Sequence, residues 1–215
     1  MKFISINYLN IQSLLICLLP LAIIVGPFFA DLIIVTSGIY IIYYSLNKKD
    51  FYYLLNPISI MFWIFCTYLI IRSIFSINPI LSLESSLFYF RFGLFALAVW
   101  CILNNNKNFT KLFLYSLVIT FSLTVLDGYL QFFSGKNILG YPYHYSRLTG
   151  FFGDEMVLGS YLARLFPLLF GLIILQYEGS KKSLLFIFIL LILTDVIIFL
   201  SGEKTSFFLF ILSTI

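Results

Sequence analysis

Charge is scarce in this chain. Only 10% of its 215 residues are Asp, Glu, Lys or Arg, while 61% are hydrophobic. So few solvated groups cannot cover so much apolar surface, which excludes a soluble globular domain and leaves no basic face for a nucleic acid. Histidine occurs once, at His144. Cysteine is confined to Cys17, Cys66 and Cys101, each inside an apolar run. There is no CxxC and no Cys/His pairing, so neither a disulfide framework nor a metal site is expected. Internal repeats, low-complexity tails and soluble domains are missing as well.

What is present is apolar and aromatic. Mean hydropathy is +1.04, and phenylalanine alone supplies 26 residues. Several runs are long enough to cross a hydrocarbon core of roughly 30 Å. Backbone groups inside lipid must be satisfied within their own segment, so these runs are expected to be helices. The expected fold class is an all-α polytopic membrane protein, a single transmembrane domain of about seven full spans plus a shortened eighth.

The spans are placed at about residues 11–29, 32–46, 57–75, 80–103, 112–133, 154–175 and 183–200, with the eighth starting at Ser206. Asn56-Pro57 and Asn78-Pro79 each resemble an N-cap followed by proline at the first helical position. Lys2 ahead of an apolar run has the look of a secretory signal, but Phe28-Phe29-Ala30 is a poor cleavage site, so a retained first helix is expected. The eighth run is too short to span, and the chain reads as the N-terminal part of something longer.

Lys2, Lys48/Lys49, Lys107/Lys111 and Lys181/Lys182 recur at the N-terminus and in every second connection. The excess of cations in cytoplasmic loops places these inside and the other loops outside. The arginines behave differently. All four (Arg72, Arg91, Arg147 and Arg164) fall in outer loops or in outer halves of spans. An arginine at mid-membrane costs about 2.5–3.5 kcal/mol on insertion scales, so such positions call for a partner or a function. Asp127 and Asp195 lie within spans, and Glu84 and Glu203 at the outer boundary.

The densest polar stretch is RLTGFFGDEMVLGSYLARLFP, residues 147–167, with Asp154 and Glu155 adjacent. Guanidinium offers a rigid fork that matches phosphate oxygens two at a time, whereas ammonium is a point charge. Arginines on the outer side therefore point to an anion site, with a diphosphate as a suitable ligand. The start of span 6, behind Gly150 and Gly153, would add backbone N–H groups, with Asp154 competing as a side-chain cap. Ser160, Arg164, Pro167 and Gly171 share one face of that helix, and Pro167 should bend it beside Arg164. The plainer reading is structural. Arg164 with Asp127 or Asp195, and Arg91 with Glu84, would neutralise one another. His144 among Tyr141, Tyr143 and Tyr145 reads as a surface residue in an interface belt, and Gly159 with Ala163 as a small-residue packing pair.

At these residues the sequence resembles the O-antigen ligase and O-antigen polymerase superfamily of bacterial inner membranes. The resemblance rests on R-x-T-G-x-F-G at 147–153, on L-G-S-Y-L-A-R-x-x-P ending at Pro167, on S-G-E-K-T at 201–205, and on NPxxSLExS leading into the Arg91 helix. It implies a helical bundle of the GT-C type in the inner membrane, N-terminus cytoplasmic. It implies transfer or polymerisation of a glycan from undecaprenyl diphosphate onto a lipid or glycan acceptor at the periplasmic face, with no cofactor, nucleotide sugar or metal. Arg147 and Arg164, then Arg91, Arg72 and Lys204, are the implied diphosphate ligands, with Asp154, Glu155, Glu84, Asp127, Asp195 and Glu203 as supporting carboxylates. Lys204 stands where family members often carry arginine. The family's catalytic histidine would lie beyond Ile215, and His144 does not replace it. An ion-coupled transporter built on Asp127 and Asp195, and a non-catalytic remnant of the family, are the alternatives.

The topology has a direct test. With the native cysteines removed, Ser146→Cys should react with an impermeant thiol reagent applied from outside; reaction only after lysis would invert the orientation.

Overall fold

A computed structural model describes residues 2–143, 147–177 and 180–214. His144, Tyr145 and Ser146 lie outside the described residues. Among the described residues the fold is helical, apart from one isolated antiparallel bridge between Lys136 and Pro142. The helices are α1 (Lys2–Cys17), α2 (Leu19–Val25), α3 (Pro27–Lys48), α4 (Tyr52–Leu55), α5 (Pro57–Ile74), α6 (Pro79–Leu87), α7 (Phe90–Asn105), α8 (Phe109–Ser134), α9 (Leu158–Tyr177), α10 (Lys181–Leu200) and α11 (Lys204–Thr214). Six helical stretches among the described residues are long and apolar enough to cross a membrane: α3, α5, α6 with α7, α8, α9 and α10. The broken pair Tyr8–Cys17 and Leu19–Val25 makes a seventh if counted as one span. This is the architecture of a multi-pass helical membrane protein.

Several boundaries differ from the sequence expectation, each for a local reason. The break expected at Ala30-Asp31 falls at Gly26, whose φ of +150° suits only glycine. Pro27 opens α3 directly behind it, so Asp31 lies inside a helix. Span 4 divides into α6 and α7. Span 6 begins at Leu158 instead of Asp154; ahead of it Gly150 and Gly153 adopt φ of +53° and +63°, at the start of and just after a short 3-10 turn, Gly150–Phe152. Pro167 sits inside α9, which is continuous from Leu158 to Tyr177. The eighth helix starts at Lys204, two residues before Ser206.

The chain forms two compact units. The first comprises residues 1–19 and 27–109. Its centre is α3 against α7, with Ile33 and Ile41 buried on the first and Leu94, Ala98 and Ile102 on the second. Gly38 lets the helices close, since a Cβ there would stand 3.3 Å from Leu94 Cβ. Gln12 Nε2 donates to Ser37 Oγ at 2.6 Å, which ties α1 to α3. The Asn56-Pro57 signal is met: Asn56 Oδ1 accepts from the N–H groups of Ile58 (3.0 Å) and Ser59 (3.1 Å). Pro79 likewise opens α6, but Asn78 makes no side-chain cap.

The second unit comprises residues 20–26 and 110–215. Its core is formed by α8, α9, α10 and α11, with Leu117, Phe121, Leu162, Phe166, Ile197 and Phe210 at the centre. The Phe166 ring packs 5.0 Å from Phe210 and 6.2 Å from Phe121. The α2 segment joins this unit through Pro20, whose carbonyl accepts from the Tyr161 hydroxyl at 2.9 Å.

The Asn56 cap predicts a measurable loss. Asn56→Ala should lower stability in detergent by about 1 kcal/mol, and Asn56→Gly by only a few tenths. Equal unfolding midpoints for wild type and Asn56→Ala would show that α5 does not depend on its cap.

Candidate functional site

The second unit carries the polar stretch that dominates the sequence, and its architecture starts with an amide. Gln131, on the last turns of α8, is completely buried. An amide in an apolar helix must find protein partners, since each buried group left unpaired costs about 1–3 kcal/mol. Gln131 finds them in the loop that follows. Its Oε1 accepts from the N–H groups of Thr149 (3.0 Å) and Gly150 (2.8 Å). Its Nε2 donates to the Pro142 carbonyl and to Thr149 Oγ1, both at 3.2 Å. Asn137 repeats the device. Its Nδ2 donates to the Gly150 carbonyl and its Oδ1 accepts from the Tyr141 N–H, each at 2.7 Å. Asp127 lies beneath, with Oδ1 accepting from the Ile138 N–H at 2.9 Å. The loop is thus held to α8 by two buried side chains, Gln131 and Asp127, and to itself by a third, Asn137.

The second anchor is Glu203. It precedes α11, yet its carboxylate reaches the start of α9. Oε1 accepts from the Gly159 N–H at 2.7 Å and Oε2 from the Ser160 N–H at 2.9 Å. The hydroxyls of Ser160 and Ser206 also donate to Oε2, that of Ser206 at 2.8 Å. A helix N-terminus carries unpaired N–H groups and a partial positive charge, and here an internal carboxylate meets both. Gly159 makes the approach possible, because a Cβ there would overlap Ser201 Oγ and stand 3.0 Å from Glu203 Oε1. The expected anion pocket at this helix start is therefore filled by Glu203, and Asp154, expected to compete as its cap, is exposed.

Three motif segments separated in sequence meet here. The Leu148 N–H donates to the Leu200 carbonyl at 3.4 Å, joining RLTGFFG to the end of α10. The stem of Arg147 lies over Gly202, whose Cβ would stand 3.2 Å from Arg147 Cγ. The guanidinium reaches past it, with Nη1 3.6 Å from Met156 Sδ. Arg147 and Lys204 are exposed at this end of the unit, beside the engaged Glu203. Arg164 is exposed one turn beyond Ser160 on the same helix face. With α9 starting at Leu158, it lies about 9 Å along the helix, shallower than the sequence suggested.

The ion pairs differ from those expected. Among the described residues the one salt bridge joins Arg91 Nη1 to Asp31 Oδ2 at 3.3 Å, so Asp31 replaces Glu84 as the partner of Arg91. The helical placement of Asp31 makes this pairing available. Arg164 bridges to neither Asp127, which serves the loop, nor Asp195, which is half-buried on α10. Arg72 ends α5 and Glu84 sits on α6, both exposed, and Glu155 is exposed beside Asp154. Asp31, Arg72, Glu84 and Arg91 belong to the first unit, the other named residues to the second. Gln131 and Asn137 escaped the sequence reading. An amide on the closing turns of an apolar helix was the available signal, since lipid offers it no partner.

No protein-family model matches the chain, and comparison with curated proteins and with solved structures returned no match.

The fit around Gly159 yields a paired prediction. Gly159→Ala should destabilise the protein by about 1–3 kcal/mol through overpacking. Gly171→Ala, on the same helix with nothing within 4 Å of its Cβ, should be neutral or stabilising by about 0.5–1 kcal/mol. Equal unfolding midpoints for the two variants would refute the close Glu203 approach.

Proposed function

We propose that this chain belongs to a membrane-embedded glycosyltransferase that handles a glycan carried on a lipid diphosphate, in the manner of the O-antigen ligases and polymerases it resembles. The observation that carries the reading is the meeting of 147–153, the start of α9 and 201–205 at one end of the second unit, with Arg147, Lys204 and Arg164 left exposed there. Buried side chains already satisfy the backbone of this assembly, so its exposed cations are free of a structural ion pair among the described residues.

In this reading the cations meet the diphosphate through side chains alone, since Glu203 occupies the helix N-terminus. Arg147 is the principal ligand: its stem is braced on Gly202 and its fork faces outward. Preorganised guanidinium groups stabilise the charge that develops on a departing lipid diphosphate, and the bracing lowers the cost of holding them in place. Lys204 adds a point charge, and Arg164 a second fork nearer the hydrocarbon. Glu203 acts as a positioning residue through α9 and the 201–205 turn. The acceptor is a lipid or a glycan, the setting a bacterial inner membrane, and the active face periplasmic. A transporter built on Asp127 is less well supported, because that carboxylate already receives the Ile138 N–H and sits about 10 Å from the end of α8.

The test uses undecaprenyl diphosphate as probe, with binding to the detergent-solubilised chain followed by native mass spectrometry. Arg147→Lys should weaken binding about ten-fold through loss of the bidentate contact, with unchanged unfolding. Arg164→Lys should abolish glycan transfer by the whole protein in cells while leaving insertion intact. Wild-type probe affinity in Arg147→Lys, or normal transfer by Arg164→Lys, would remove that arginine from the donor site.

A further inference from the structure

The opposite end of the second unit contains a cavity that the proposed transfer does not use. It lies where α8 begins, α9 ends and α10 begins, and has a volume of about 440 Å³. That falls in the range of roughly 300–1,000 Å³ typical of small-molecule sites. Leu114, Val118, Ile173 and Phe186 form its body. Val118 lies about 13 Å from the start of α8, while Leu114, Ile173 and Phe186 lie within about 8 Å of their helix ends. The cavity is therefore an apolar slot that reaches from the helix ends into the span region.

Its polar lining is concentrated at those ends. Lys182 lies on the first turn of α10 and lines the cavity. Tyr115 lines it too, and the Lys111 ammonium stands 5.9 Å from the centre of that ring. An apolar slot with Lys182 in its lining, and the Lys111 ammonium over the ring of a second lining residue, matches a ligand with a hydrocarbon tail and an anionic head.

We propose that this cavity binds an anionic phospholipid, with one acyl chain along Leu114, Val118 and Ile173 and the phosphate beside Lys182 and Lys111. Basic pockets between transmembrane helices hold such headgroups by charge, while the slot excludes the tail from water and from bulk lipid. Lysines at helix ends that merely reach toward the interface would show no dependence on the slot below them.

Native mass spectrometry of the whole chain distinguishes these cases, using phosphatidylglycerol, phosphatidylcholine and inorganic phosphate as separate probes. Wild type should retain phosphatidylglycerol in preference to phosphatidylcholine. Lys182→Gln, an exposed substitution that leaves the core untouched, should reduce phosphatidylglycerol retention about five-fold and leave phosphatidylcholine unchanged. Val118→Phe, which fills the slot, should reduce retention of both lipids. Equal retention of the two lipids by wild type, or undiminished phosphatidylglycerol in Lys182→Gln, would overturn the proposal. Phosphate binding undiminished by excess phosphatidylglycerol would also overturn it, by identifying a free-anion site.

Discussion

The carboxylate of Glu203 at the start of α9 is the interaction on which the second unit depends. A helix that begins inside a membrane protein exposes N–H groups that lipid cannot satisfy, so its first turn requires a donated acceptor. Glu203 supplies two oxygens to four donors, from Gly159, Ser160 and Ser206. That residue holds the first turn of α9 against the α10–α11 turn, and with Ser201 it leaves no room for a side chain at position 159. It also decides what this end of the unit can offer a ligand: guanidinium and ammonium groups rather than backbone N–H.

The amide pair Gln131 and Asn137 complements Glu203 from the other side. Together with Asp127 they receive the loop between α8 and α9, which would otherwise leave unpaired backbone near the hydrocarbon boundary. Gly150 shows how tight this reception is: its left-handed φ turns the chain, and a Cβ would stand 3.3 Å from Asp127 Oδ2. Asp127 has the signature of a functional carboxylate, an ionisable group in an apolar helix. In the fold it accepts from the Ile138 N–H, in the loop that leads to Arg147.

Arginines divide by whether a partner is in reach. Arg91 meets Asp31 within the first unit. Arg147 is braced by packing on Gly202 and by the Met156 sulfur, contacts that orient a guanidinium without neutralising it. An orientation held without neutralisation leaves the charge available. At the far end of the second unit Lys111 and Lys182 make no salt bridge among the described residues, and they flank an apolar slot instead of a polar cluster. The two ends thus present different chemistry: rigid forks over a hydrogen-bonded turn at one, mobile point charges over hydrocarbon at the other.

The class of this protein was legible from composition, because apolar length and the need to satisfy backbone in lipid are properties of each segment by itself. Local signals succeeded where the chemistry was local, as at Asn56, whose side chain caps the turn that immediately follows it. They failed at Asp154, a cap by position, because the helix starts at Leu158 and the acceptor for the Gly159 N–H comes from Glu203, 44 residues further along the chain. The same holds for Arg91, whose partner lies on another helix, and for Gln131, whose partners lie in a loop. The motif residues and their chemical types were determined by sequence alone. Which carboxylate was consumed in holding the fold, and which cations remained available, was decided only by tertiary contact, since hydrogen bonds between distant segments leave no periodicity to read.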